Sequence, residues 1–255
     1  MSARARPVAA ALAVLAVLAV WSQASPARAQ ALVADLSEHL IAISTDFTGT
    51  DVVLFGATDG PGEVAVVVRG PPTTTVVRRK RRIAGIWVNA DSMTFADVPA
   101  YYWAGASAPV DDIAPAAVLE RHGIGLAHLR LAPVDAVDRP PGEAAMFRRA
   151  LVRRKQAEGT YTLEAGRVSF LGDRLFRSTL VFPTEVPTGQ YTVSVLLFRE
   201  GRVVSAQTTP LIVSKVGTGA RVFAFARQHA AAYGAIAIAI AVAAGWLAGV
   251  AFRRS

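Results

Sequence analysis

Residues 187–201 read Pro187-Thr188-Gly189-Gln190-Tyr191-Thr192-Val193-Ser194-Val195-Leu196-Leu197-Phe198-Arg199-Glu200-Gly201. A glycine turn opens the stretch, an alternating run with Tyr191, Val193, Val195 and Leu197 on one face fills it, and Glu200-Gly201 closes it. That period of two predicts a half-buried β-strand followed by a hairpin turn. The return strand is predicted through Val203-Val204 and Leu211-Ile212-Val213. Working backwards, Leu175 to Phe182 reads as another strand. Tyr161-Thr162-Leu163-Glu164 and Val168-Ser169-Phe170-Leu171 flank Ala165-Gly166-Arg167 as a predicted hairpin.

The same vocabulary fills residues 31–108. Leu32 to Asp35, Leu40 to Ile43, Val52 to Phe55, Val64 to Val68, Thr74 to Arg79, Gly85 to Asn89 and Ser92 to Phe95 are short β-prone runs. Thr48-Gly49, Asp59-Gly60-Pro61-Gly62 and Gly70-Pro71-Pro72 punctuate them. Between residues 110 and 158 the period lengthens. One helix is predicted from Asp111 or Asp112, with Pro115 in its first turn and Gly123 as its stop. A second runs from Glu143 to Gln156, with Met146, Phe147, Ala150 and Leu151 facing inward. The segment ending at Tyr191 resembles the tyrosine corner of immunoglobulin-like sandwiches. The expected fold is therefore mostly β: an immunoglobulin-like β-sandwich made of two β units, 30–109 and 159–216, bridged by a helical connector over 110–158, as two domains or one composite.

The two ends differ from the middle. Arg4 and Arg6 precede an unbroken apolar stretch from Val8 to Val20, and small residues stand at Ala27 and Ala29. Residues 1–29 read as a secretory signal cleaved to leave Gln30, the alternative being a retained anchor. Residues 231–252 form an uncharged apolar run of membrane-spanning length. Arg253-Arg254-Ser255 follows as a cytoplasmic tail with the positive-inside signature. Residues 217–230, which include Arg221-Val222-Phe223-Ala224-Phe225-Ala226-Arg227, read as a juxtamembrane interfacial segment. Gly245 and Gly249 stand four apart in the run, the spacing at which spans dock on partner helices, plain lipid-facing anchorage being the simpler reading.

Composition limits the function. The 255 residues are 53% hydrophobic, which excludes a disordered chain, and contain no cysteine, which excludes disulfides and thiol chemistry. The formal charge of +8 misleads: five of the 27 basic residues lie in the two ends, leaving 22 against 19 acidic ones. Nucleic acid is thus a poor partner. His39, His122, His128 and His229 form no metal-ligand pattern, and no nucleophile elbow or phosphate loop is present. No catalytic residue, cofactor or metal is expected.

Three features remain as candidate sites. Arg78-Arg79-Lys80-Arg81-Arg82 places five consecutive cations where alternate residues of a strand face opposite ways. It cannot lie in a covered central strand. It marks an edge, a bulge or a strand end: the plain reading is an edge guarded against pairing, and the functional one is a patch for an anionic partner such as lipid head groups, an acidic protein face or an oxyanion. Arg148, Arg149, Arg153, Arg154 and Lys155 form a second basic group, read as the solvated face of the 143–156 helix or as an interfacial one. Tyr101-Tyr102-Trp103 is an aromatic cluster that serves equally as an interface anchor or as part of a core.

Thr50-Asp51-Val52-Val53-Leu54-Phe55-Gly56, Gly85-Ile86-Trp87-Val88-Asn89, Val98-Pro99-Ala100-Tyr101-Tyr102, Pro187-Thr188-Gly189-Gln190-Tyr191 and Tyr233-Gly234 through Gly245-Trp246-Leu247 occur in this order. Together they resemble the alphaproteobacterial transmembrane family Alph_Pro_TM. The resemblance implies a signal, a periplasmic β-rich part and one C-terminal span in the inner membrane; members of the family are thought of as neighbours of sulfite-exporter-like permeases, which is association and not mechanism. It implies no activity. The expected function is a membrane-anchored periplasmic binding protein accessory to another membrane protein, the bilayer being its other partner. A periplasmic oxyanion-binding protein or enzyme is the competing class.

Overall fold

The computed structural model describes residues 31–83, 85–134, 139–140, 142–162, 164–217 and 225–252. The expected signal, the tail at Arg253-Arg254-Ser255 and the start of the juxtamembrane segment, including Arg221 to Ala224, lie outside them.

The strands are β1 (Leu32–Leu36), β2 (Leu40–Ile43), β3 (Thr50–Thr58), β4 (Glu63–Arg69), β5 (Pro72–Ile83), β6 (Ile86–Pro99), β7 (Tyr102–Ala106), β8 (Gly166–Leu171), β9 (Leu175–Phe182), β10 (Gly189–Arg199) and β11 (Arg202–Lys215). The helices are α1 (Val110–Ile113), α2 (Ala116–His122), α3 (Glu143–Ala157) and α4 (Ala230–Phe252), with a 3-10 turn at Leu126–His128. Nine strands form one curled sheet in the order β1-β3-β9-β8-β7-β4-β10-β11-β2. The hairpin β5–β6 stands apart as its own two-stranded sheet.

Two seams curl the sheet. At one, β7 and β8 run parallel for only two pairs, Gly105 with Gly166 and Ala106 with Arg167. The indole of Trp103 lies flat against both glycines: a Cβ on Gly166 would come within 2.0 Å of it, and one on Gly105 within 2.4 Å. At the other, the side-chain amide of Gln207 on β11 takes the place of a strand. Its oxygen accepts from the Ala34 N–H at 2.8 Å and its nitrogen donates to the Ala34 carbonyl at 2.6 Å.

Between the two halves lies the first core. Alternate residues supply it: Leu32 and Leu36, Val52 and Leu54, Val64, Val66 and Val68, Phe176, Leu180 and Phe182, and Tyr191, Val193, Val195 and Leu197. Strand β9 alternates exposed and buried along its whole length, as period-two patterning requires. The Tyr191 hydroxyl donates to the Pro187 carbonyl at 2.6 Å, closing the corner expected there.

A second core covers the other face of the central strands. Ala65 and Val67 of β4, Ala104 of β7 and Leu196 and Phe198 of β10 pack with Leu119, Phe147 and Leu151 from the helices and Met93, Phe95 and Val98 from β6. Strand β4 is therefore buried from Val64 to Val68 without a break. A sheet covered on both faces wants a continuous apolar run, and this one has it.

The stretches 30–109 and 159–216, which the sequence leaves open as two domains or one composite, share one sheet: β8 and β9 insert between β3 and β7, and β10 and β11 between β4 and β2. Three expectations are corrected. The helix expected from Asp111 to Gly123 is two helices. Ala114, held extended (φ −159°, ψ 159°) before Pro115, breaks it, as residues preceding proline do. Gly123 does stop the second helix, in the left-handed conformation (φ 59°). Among the described residues, Tyr161, Thr162 and Glu164 form no hairpin strand: Tyr161 makes one isolated bridge to Tyr102, and β8 pairs instead with β9, while Leu163 of the expected strand lies outside the described residues. Finally, the three runs expected between Thr74 and Phe95 merge into the single hairpin β5–β6.

Candidate interaction surfaces

The basic run lies on the hairpin, outside the main sheet. The inner half of β6 is anchored, since Met93, Phe95 and Val98 are fully buried in the second core. The outer half is not: every residue from Arg78 to Ile83 and from Ile86 to Asn89 is exposed. The register pairs Ile83 with Ile86, Arg82 with Trp87, Arg81 with Val88 and Lys80 with Asn89, then shifts between Arg79 and Lys80.

That shift separates Arg79 from its neighbours in role. Its guanidinium Nε donates to Asp91 at 2.9 Å, and a terminal nitrogen lies 3.8 Å from Glu143. The group also sits 5.9 Å from the centre of the Phe147 ring. The hydrogen bond from Arg79 holds the Asp91 carboxyl below the ordinary carboxylate range. Arg79 thus ties the hairpin to α3, while Arg78, Lys80, Arg81 and Arg82 are presented outward. Arg82 donates to the Gly85 carbonyl at 3.2 Å, bracing the turn. The run is neither in a covered strand nor at the edge of the main sheet.

Of the two readings of the aromatic cluster, the structure supports the core and corrects the interface one. Tyr101, Tyr102 and Trp103 are all buried, so none is an interface residue. Adjacent residues of a strand face opposite sides, and here both sides are covered. Tyr101 stacks on Phe182 at 5.3 Å in the first core and donates to the Val181 carbonyl at 2.6 Å. Trp103 fills the seam beside it. Tyr102 points into the second core and donates to the Gly123 carbonyl at 2.7 Å. Burial pushes all three phenols of Tyr101, Tyr102 and Tyr161 well above their ordinary range.

A surface missed in the sequence lies on the outer face of β1, β3, β9 and β8. Val33, Ala57, Leu175 and Leu171 pair in one row across all four strands. The next row is Asp35, Phe55, Arg177 and Ser169, with Val53 and Val181 farther along. Leu175 is 56% and Phe55 49% exposed. The available signal was that Leu175 and Val181 occupy the outward positions of an otherwise regular alternation.

The second basic group divides. Phe147 and Leu151 bury the inner face of α3. Arg154 pairs with Glu158 at 2.7 Å and Lys155 with the same carboxylate at 4.0 Å. Arg148, Arg149 and Arg153 line an open groove of about 400 Å³ with Leu126, Ala127, Leu129, Val152 and Gln156.

The histidines do not converge. His39 lies 3.0 Å from Asp35, and His128 3.3 Å from Asp111. Among the described residues no group of three or more histidines and carboxylates gathers as metal ligands would. Arg69 donates to the His122 and Gly123 carbonyls, capping the C-terminus of α2. Burial, with Arg121 and Arg69 nearby, lowers the pKa of His122.

Helix α4 has 23 residues, a length of about 35 Å at 1.5 Å rise. It is apolar enough to cross a membrane, and none of its most apolar stretch, Ala230–Gly249, is buried by the rest of the chain. Gly245 and Gly249 face open space, as do Tyr233 and Trp246 in large part. A family model described as "Putative transmembrane protein (Alph_Pro_TM)" matches residues 31–254. The chain belongs to this family. The Alph_Pro_TM match begins at the edge of β1 and runs through α4, so it takes in the β-body and the apolar helix together. No curated protein matches the chain.

Proposed function

We propose that this Alph_Pro_TM protein is a single-pass inner-membrane protein whose immunoglobulin-like β-body lies in the periplasm and works by binding, not by catalysis. Its partner is another membrane protein, a transporter of the sulfite-exporter kind being the leading choice. The observation that carries this reading is the outer face of β1-β3-β9-β8, where exposed Leu171, Leu175 and Val33 form an apolar row with half-buried Ala57, bordered by Asp35 and Arg177. An apolar band with a charged border is the usual make-up of a protein interface. Soluble domains seldom leave such a band bare without a partner for it. A span on the same chain would tether the β-body, and this face with it, near the membrane.

Site-specific photo-crosslinking in native membranes tests it. A crosslinker at Leu175 or Val33 should yield a discrete adduct with an integral membrane protein, and one at Arg153 on α3 should not. Replacing Phe55 and Leu175 by Lys should cut the adduct by roughly tenfold or more, because central apolar anchors carry most of the affinity. Equal labelling from all three sites, or none from the sheet face, contradicts the proposal.

A further inference from the structure

We infer that the tip of the β5–β6 hairpin is a second, reversible membrane anchor, inserting Ile83, Ile86 and Trp87 into the surface of an anionic lipid bilayer. This inference rests on the membrane-spanning reading of α4 and is independent of which protein meets the sheet face.

The tip has the chemistry of an interfacial anchor. Ile86 is 69% and Trp87 65% exposed, with Ile83 across the turn. A soluble domain gains nothing by holding these three side chains in water at the end of a protruding arm. Behind them Arg78, Lys80, Arg81 and Arg82 form a collar, and no acidic residue occurs between Arg78 and Asn89. Apolar side chains below, tryptophan at headgroup depth and cations level with the phosphates is the arrangement that binds an anionic membrane surface. Arg79, turned back to Asp91 and Glu143, braces the arm against α3.

The fold also places the arm within reach of a bilayer. Strands β4 and β11 both run antiparallel to β10, and both end opposite its first residues: Arg69 pairs with Thr192, and Val213 with Gly189. Pro71, at the root of the hairpin, packs so closely on Gly189 that a Cβ there would come within 2.8 Å. The hairpin and the segment leading to α4 therefore leave the sheet at the same end. The 12 residues of β5 extend about 40 Å. The 14 residues between Lys215 and Ala230 can span at most about 50 Å. A body tethered that closely keeps the tip within range of the same membrane.

The chain has no cysteine, so a single label can be placed cleanly. Full-length Ile86→Cys, carrying an environment-sensitive fluorophore, is reconstituted into vesicles of equal parts phosphatidylglycerol and phosphatidylcholine, or of phosphatidylcholine alone. Flotation with the vesicles is scored first, so that failure of the span is told apart from failure of the hairpin. In the anionic vesicles the label should shift to the blue and be quenched by lipids carrying quenchers on their acyl chains. A label at Leu175→Cys should not respond. High salt, or replacement of Arg78, Lys80 and Arg82 by Gln, should remove the quenching, corresponding to a shift of roughly a hundredfold away from the inserted state. Unchanged melting of the triple variant shows that its fold is intact. A label on Ile86→Cys that stays water-exposed in anionic vesicles overturns the inference. So does one that crosslinks to a protein in native membranes without being quenched by lipid in vesicles.

Discussion

Trp103→Ala should destabilise the β-body by about 3–5 kcal/mol, the usual cost of truncating a buried tryptophan. The seam between β7 and β8 consists of two pairs only, so the ladder there is weak. The indole against Gly105 and Gly166 is what holds the two halves of the sheet in register. Removing it opens a cavity at the place where the sheet curls. The converse change makes the same point from the other side. Gly166→Val would put atoms where the ring already lies, and overpacking of this kind costs about 1–3 kcal/mol or more. Denaturant melts of both variants check the account. If Trp103→Ala melts within about 0.5 kcal/mol of the parent, the range of an ordinary surface change, the seam is not held by the ring.

Ending the chain after Gly217 should convert the protein from an integral to a peripheral one. The last backbone bond of the sheet edge is Val216 N–H to the Ile43 carbonyl at 2.9 Å, so the body keeps all its strands. The apolar helix, which buries nothing against the body, is lost with the segment leading to it. Full-length protein should resist alkaline carbonate extraction. The truncated form should be released by it, and at low salt should still show weak binding to anionic membranes through the hairpin tip. A truncated chain that remains carbonate-resistant would mean that Val8 to Val20 stays attached as a second anchor.

What could be read from the sequence follows from how local each signal is. Strand β9 and the corner at Tyr191 depend on neighbours within a few residues, and both appear as expected. The basic run could be excluded from a covered strand on charge alone. The hairpin carrying it was less visible, because a two-stranded arm has no second face to impose alternation, and a register shift interrupts it at Arg79. The parallel seam joining Gly105 to Gly166 links residues some sixty positions apart through a ring at Trp103, and nothing near either glycine announces it. Whether Tyr101, Tyr102 and Trp103 belong to a core or to an interface stayed open for the same reason. Their burial depends on helices α2 and α3 covering one face and strands β3 and β9 the other. Of the candidate surfaces, the cations were legible by composition. Val33, Leu171 and Leu175 were not, because they come together only once β1, β3, β9 and β8 pair.

The central claim, a β-body outside the cytoplasm held by one C-terminal span, is tested most directly by cysteine accessibility in intact cells. Leu175→Cys and Ser255→Cys are introduced separately into the cysteine-free chain and treated with a membrane-impermeant maleimide small enough to pass the outer membrane. Labelling of Leu175→Cys in intact cells, and of Ser255→Cys only after lysis, is the predicted result. Labelling of Ser255→Cys in intact cells, or protection of Leu175→Cys until lysis, would contradict it.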